Sequence, residues 1–477
     1  MLDQRRTPLF TALQRYLRRQ PAVFHVPGHK QGRGAPPALR RWLGAGALQL
    51  DLTEAPGLDD LHAPSGVIAE AQALAAAAFG AARSFFLVGG TTAGIHAMLL
   101  AALRPGEAVL VPRHAHRSVH GGLILSGARP VWLPPAYDPD LAIPLGVAPE
   151  AVAQALDRHP EARALVVVHP TYHGIPAAIG PLVRLAHDRG LPVLVDEAHG
   201  AHFAFHPDLP PSALAAGADA AAQSLHKTGG SLTQSSLLHL GHGGRLDPDR
   251  VQAALRLVQS TSPSYLLMAS LDLARRELAL RGRRLWDRAL ALAAAAREAL
   301  ARVPGVRVAD YPGMDPTRLI LDVRGRGLTG YEAAEQLWRQ GVAVELSGHG
   351  YLLAILSPGD SRESLRRLVA AVRRLRPGRR RRDGAWAGPP GLPPWPEVVL
   401  TPREAALGPQ EAVPLSRSEG RIAAELVAPY PPGIPVLAPG ERITPAVLAY
   451  LEECLRTGQH LQGPADPTLR TIRVVAE

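Results

Sequence analysis

From residue 69 onward, short apolar stretches alternate with helical segments. This alternation constrains the fold more than any other feature. Each strand must be followed by a covering crossover, which predicts βαβ units and a mainly parallel sheet. The apolar stretches are 84–88, 108–111, 130–133, 164–168, 192–195 and 236–240, and helical patterns occupy 69–79, 92–103, 149–158 and 179–189. In such sheets ligands sit beyond the carboxyl ends of the strands. Asp196, the pair Pro170-Thr171 and the segment 114–118 all fall at such ends.

The flanking regions read differently. Leu9, Leu13 and Leu17 recur at spacing four and predict an amphipathic helix over 7–19. Residues 24–64 are rich in Gly, Pro and Asp without strong periodicity, so they read as a long irregular arm of functional or interfacial use. Helices are expected over 248–257 and 271–302. Strands at 318–323, 342–345 and 351–356, with helices at 330–340 and 361–375, make a small α+β domain. The segment 376–396, with an arginine run at 379–382 and repeated Pro and Gly, reads as a solvated linker. The expected organisation is therefore an arm over 1–65, a large α/β domain over 66–302 and a small domain over 303–376. A linker over 377–396 and a C-terminal domain over 397–477 complete it.

Composition removes several function classes. In 477 residues there is one cysteine, Cys454, so neither an intrachain disulfide nor a cysteine-based zinc site is available, and a reducing cytoplasm fits. The first 20 residues carry charges throughout and do not resemble a signal peptide. No uncharged apolar run reaches about 18 residues, so no membrane span is expected. The net charge of +10 is scattered over helical segments rather than gathered into a patch, which argues against nucleic acid as partner.

The chemistry concentrates in two segments. Ser224-Leu225-His226-Lys227-Thr228-Gly229-Gly230 lies downstream of Val193-Leu194-Val195-Asp196-Glu197-Ala198-His199. A buried lysine among small and hydroxyl residues can form an imine with an aldehyde cofactor, and an aspartate ending an apolar strand can keep a pyridine nitrogen protonated. Those are the protein groups that pyridoxal 5'-phosphate requires. A plain loop lysine and a helix-capping or ion-paired aspartate are the structural alternatives. Gly89-Gly90-Thr91-Thr92-Ala93-Gly94 joins a strand to a helix and suits a phosphate, though ordinary capping by Thr91 or Thr92 would look the same. His116, in Arg113-His114-Ala115-His116-Arg117-Ser118, offers a ring that can stack on a flat cofactor. The histidine pairs 114/116 and 199/202 lack a third ligand, so no metal is expected.

With these residues in view, the chain resembles the Orn/Lys/Arg decarboxylase family of fold-type I pyridoxal phosphate enzymes, and looks like the short bacterial form without the N-terminal wing domain. The resemblance covers nearly the whole chain. It runs through Phe24-His25-Val26-Pro27-Gly28-His29-Lys30-Gln31-Gly32 and Gly57-Leu58-Asp59-Asp60-Leu61-His62-Ala63-Pro64. It continues through Gly90-Thr91-Thr92, Pro170-Thr171-Tyr172, the stretch from Asp196 to His202, 224–234 and Pro402-Arg403-Glu404-Ala405. It implies a transferase-like large domain with a mainly parallel sheet and decarboxylation of arginine, lysine or ornithine in polyamine biosynthesis. Lys227 would hold the cofactor, Asp196 would pair with its ring nitrogen and His116 would stack on its face. Thr91, Thr92, Ser224 and His226 would hold the phosphate, with His199 nearby. Thr233 and Gln234 would reach the cofactor of a neighbouring subunit. The resemblance further implies a homodimer or larger homo-oligomer with the active site at the interface, and an arm around Asp59, Asp60 and His62 that covers the partner's pocket. Lys227 or His226 would return a proton to Cα; Glu345, at the end of the strand expected at 342–345, is the candidate for the distal cation of the substrate, with a solvent-facing strand end as the structural alternative. The chain departs from the family pattern at Gly89, His114, Arg117 and His173, positions that bear on substrate identity.

Two other function classes stay open at this level. One is a different pyridoxal phosphate reaction, such as an aminotransferase or β-eliminating lyase, with Arg318 or Arg403 clamping the substrate carboxylate. The other is a non-catalytic protein of the same fold that binds a partner through its basic surface.

Overall fold

A computed structural model describes residues 2–378, 392–430 and 433–477. The strands of the central sheet are β1 (Arg83–Leu87), β2 (Ala108–Pro112), β3 (Arg129–Leu133), β4 (Leu165–Val168), β5 (Val193–Asp196), β6 (Ala220–Gln223) and β7 (Ser236–Leu240). The early helices are α1 (Pro8–Arg18), α2 (Pro37–Leu50), α3 (Val67–Phe79), α4 (Gly90–Ala102) and α5 (Arg117–Ser126). The chain divides into two compact units, Met1–Ala102 with Pro192–Leu285, and Leu103–Leu191 with Trp286–Glu477.

In the first unit the strand order is β1-β7-β6-β5. β5 and β6 are parallel, with Asp196 opposite Ala222. β7 lies between β1 and β6 and is antiparallel to both, which leaves β1 at the edge. All four residues of β5 are buried, as a strand covered on both faces requires. Leu9 and Leu13 of α1, Ile68 and Phe79 of α3, and Phe86, Leu225 and Tyr265 share one apolar core. Burying each such leucine contributes roughly 2 kcal/mol.

In the second unit β2 pairs in parallel with both β3 and β4. A four-stranded antiparallel sheet follows, in the order Arg307–Ala309, Arg318–Asp322, Tyr351–Ile355, Leu346–Ser347. Helices Gly330–Arg339 and Arg362–Arg373 accompany it, each opened by a capping box. The last segment pairs Gln410–Pro414 with Thr471–Val475 and adds helix Pro445–Arg456.

The central strands are thus mainly parallel, as expected, with β7 the antiparallel exception among them, but four local expectations fail. The arm over 24–64 contains the helix α2, whose amphipathic signal is broken by a non-helical kink at Gly44. The strand expected at 342–345 is displaced to Leu346–Ser347. Strand β6 was not anticipated, because Ala-Ala-Ala-Gln carries little β propensity and acquires its conformation from the neighbouring strands. Helix α5, for which no helical pattern is expected, begins within the segment 113–118 and is capped by His116. Most of the proposed linker, including the run 379–382, lies outside the described residues.

Candidate active site

Lys227 lies in a single helical turn, Leu225–Thr228, directly after β6. Contrary to expectation the residue is exposed in the single chain rather than buried. Its Nζ sits 2.8 Å from His199 Nε2. A neutral imidazole there accepts a proton from the ammonium, which makes the pair competent to deliver an uncharged amine. His199 occupies the turn that follows β5. At the end of that strand Asp196 is 5% exposed, and its Oδ1 accepts from Ala198 N at 3.2 Å. The parallel pairing of β5 with β6 sets these two loops side by side within one unit.

The anion end is built from the first turn of α4. Gly90 has φ 73°, which admits the sharp strand-to-helix turn, and its N–H donates to Gln234 O at 2.9 Å. Thr91 Oγ1 and Ser224 Oγ are 3.1 Å apart, so α4 and the lysine loop contribute adjacent hydroxyls. Thr92 is exposed in the same first turn. Orphan N–H groups, hydroxyls and the helix dipole together suit a phosphate. His226 Nδ1 is 2.9 Å from Ser235 O and donates to that carbonyl. Burial, partly offset by this bond and reinforced by Lys227, lowers the pKa of His226 and keeps it neutral. Thr233 is exposed, and Gln234 is held at φ 81° with its carbonyl engaged by Gly90. A lysine, a buried carboxylate and a hydroxyl-lined helix N-terminus in one unit are the donor set that pyridoxal phosphate needs.

Other expected residues fall elsewhere. His116 belongs to the second unit and caps α5. Its Nδ1 accepts from Ser118 N at 3.2 Å and contacts Ser118 Oγ at 2.8 Å, which fixes the ring plane. Glu345, also in the second unit, is exposed, and its carboxylate accepts the Tyr172 hydroxyl.

The carboxylate of Asp59 is engaged by the N–H groups of Ser65, Gly66 and Ile68 at the start of α3. Burial raises its pKa, but these bonds more than offset that and leave it below the ordinary value. Within its own unit Asp59 therefore caps the start of α3. His62 Nε2 lies 2.7 Å from Ser260 O, which ties the arm to its own unit.

The two candidate carboxylate clamps also change role. Arg318 is fully buried beside Asp315, and Arg403 holds the last carbonyls of α5 through Ile124 O at 2.9 Å and Leu125 O. Among the described residues no cluster of three or more His, Cys, Asp or Glu could hold a metal ion. No described helix is long and apolar enough to cross a membrane.

Sequence reasoning passed over Glu197, Gln223 and His239, which are buried and joined by hydrogen bonds behind the site. Their signal was a polar residue inside or next to an apolar strand, which Asp196 alone was credited with.

Comparison with known proteins agrees with this geometry. The major domain of the Orn/Lys/Arg decarboxylases matches residues 7–315, and the C-terminal domain of the same family matches 393–466. An arginine decarboxylase of Bacillus subtilis is 44% identical over 487 aligned residues, covering 100% of this chain and 99% of the relative. The lysine decarboxylase LdcA of Pseudomonas aeruginosa is 28% identical, covering 93% of this chain and 75% of that protein. Among solved structures, the constitutive lysine decarboxylase of Escherichia coli superposes with a TM-score of 0.84 at 22% identity, covering 100% of this chain and 82% of that one. A match spanning both family domains and a relative aligned from end to end leave one assignment: the chain belongs to the Orn/Lys/Arg decarboxylases, enzymes that work with pyridoxal phosphate.

Proposed function

We propose that the enzyme decarboxylates arginine, releasing CO2 and 4-guanidinobutylamine, a polyamine precursor. The relationship along the whole chain to arginine decarboxylases carries this choice of substrate. Pyridoxal phosphate, when bound, supplies an electron-withdrawing ring joined to the substrate nitrogen. The chain's own residues do the rest. Lys227 would hold the cofactor through its side-chain amine. Asp196 would keep the ring nitrogen protonated, and His116 would offer its ring to the cofactor's face. Thr91, Thr92 and Ser224 receive the phosphate.

Once CO2 has left, a proton must reach Cα. His226 is a poor donor for this, because it is neutral and its one N–H is committed to Ser235 O. The proton comes from Lys227 Nζ, and His199 Nε2 at 2.8 Å replenishes it. Glu345 binds the guanidinium, with the Tyr172 hydroxyl orienting its carboxylate.

CO2 release from arginine, lysine and ornithine tests the reading. Arginine should exceed both others in kcat/KM by at least about tenfold, and Glu345→Gln should raise KM for arginine by about tenfold with kcat little changed. Silence on all three substrates with cofactor bound would favour an aminotransferase or lyase instead.

We further propose a cytoplasmic homodimer in which the arm covers the partner's site and Thr233 and Gln234 reach the partner's cofactor. Phe24 and Trp42 of the arm are 92% and 89% exposed in the single chain, as an uncovered interface would be. Trp42→Glu should sediment as a monomer with activity reduced at least about tenfold, as expected for loss of an aromatic anchor. A fully active monomer would sink this interface. For the functional modules we keep the division into 1–65, 66–302, 303–376, 377–396 and 397–477.

A further inference from the structure

Behind the lysine loop a row of buried polar side chains crosses three strands of the first unit and ends just past the fourth. It begins on β1, where Ser84 Oγ lies 2.6 Å from His239 Nδ1 of β7. His239 is fully buried, stacks on Phe79 with ring centroids 4.7 Å apart, and is pushed down to about 3 by burial, so its ring is neutral. With Nδ1 accepting from the serine, Nε2 carries the proton and donates to Gln223 Oε1 of β6 at 3.2 Å. Gln223 Nε2 in turn donates to Glu197 Oε2 at 2.8 Å, and Glu197 Oε1 accepts from Ala213 N at 2.8 Å. Every bond thus points toward Glu197. That carboxyl is fully buried and is pushed up to about 8 by burial, against the opposing bonds from Gln223 and Ala213.

The position of the last link matters. Glu197 follows Asp196 and opens the turn that presents His199. Gln223 precedes Ser224 and opens the segment that presents His226 and Lys227. The turn sits tightly on the Glu197 side chain: Gly200 N donates to Glu197 O at 3.0 Å, and a Cβ at Gly200 would fall 2.8 Å from Glu197 Cγ. We infer that Glu197 is a positioning residue whose bond to Gln223 joins the loop carrying Asp196 and His199 to the loop carrying Ser224 and Lys227. The bond fixes the 2.8 Å approach of His199 to Lys227 without itself touching cofactor or substrate. The inference rests on the decarboxylase reading of the site. Misplacing reacting groups by fractions of an ångström is costly in rate, so loss of the bond should appear in chemistry more than in binding.

The bonding pattern offers a swap. Glu197→Gln alone turns an amide donor toward either Gln223 Nε2 or Ala213 N, a clash relieved only if the Gln223 amide and the His239 tautomer both reverse, and Gln223→Glu alone sets two carboxyl groups against each other. Glu197→Gln combined with Gln223→Glu restores every bond, because the new glutamate accepts from His239 and from the new glutamine, which still accepts from Ala213. The three variants are read by the pH midpoint of the visible absorbance of the lysine-linked cofactor, by melting temperature without cofactor, and by kcat and KM for arginine. Each single variant should move the midpoint by about one unit and lower kcat by about tenfold with KM within about twofold. The swap should return both to near wild-type values. Unmoved midpoints in folded single variants would overturn the inference, as would a swap no better than the worse single variant. If a single variant does not fold, the swap decides: a wild-type midpoint supports the inference, and a shifted midpoint or an unfolded swap overturns it. Midpoints that move and recover while no amino acid releases CO2 would defeat the substrate reading and leave this one standing.

Discussion

Lys227→Ala should abolish the visible absorbance of the lysine-linked cofactor and reduce CO2 release by about 10^3-fold or more, since the proposed function makes this residue both covalent anchor and proton donor. The chain makes this test unusually clean. Its lysines are Lys30 and Lys227 alone, against 52 lysines and arginines together. A guanidinium stays protonated and cannot replace a primary amine in imine formation, so Lys227→Arg should be as defective as the alanine variant despite its retained charge. Lys30 is the one competing side-chain amine, and its Nζ donates to His25 O at 2.6 Å. Borohydride reduction followed by peptide mapping should therefore mark Lys227. A tag on Lys30, or a surviving absorbance band in Lys227→Ala, would refute the assignment.

What the sequence revealed and what it hid follow the same physical line. Lys227, Asp196 and the Gly-Thr-Thr turn were legible because each breaks a local pattern: a carboxylate ends an apolar strand, and glycines and hydroxyls interrupt the passage into a helix. The parallel strands were legible as well, since continuous apolar runs mark strands covered on both faces. Features that depend on distant partners were not legible. Asp59 looked like a free acid in an arm, and only the fold turns the N–H groups of Ser65, Gly66 and Ile68 onto it. Glu197 reads as an ordinary acid beside Asp196; its raised pKa exists only because burial surrounds it. Arg403 was weighed as a carboxylate clamp, yet its partners are helix carbonyls 278 and 279 positions away.

The second unit contains the most consequential of these hidden pairs, and breaking it should produce the largest loss of stability. Arg113 leaves the end of β2 and is fully buried, as is its partner Glu441, 328 positions later. The guanidinium makes a two-pronged contact with that carboxylate, one prong at 2.9 Å, and its Nε donates to Pro435 O at 2.8 Å. Trp132 and Trp395 lie 4.7 and 5.0 Å from its central carbon. Glu441 Oε2 also accepts from Ala438 N at 2.7 Å. Arg113→Met would leave a carboxylate in the interior with no countercharge, a change that costs on the order of 3–5 kcal/mol. The midpoint of chemical unfolding of the second unit should fall accordingly, and protease cleavage after residue 392 should accelerate. The destabilisation comes from the orphaned charge more than from the lost attraction, so adding Glu441→Leu to Arg113→Met should recover part of it. Recovery should be incomplete, because Ala438 N and Pro435 O lose their partners and the two indoles lose a cation. A double variant less stable than Arg113→Met would show instead that the bonds made by Glu441 to its own segment outweigh its pairing with Arg113.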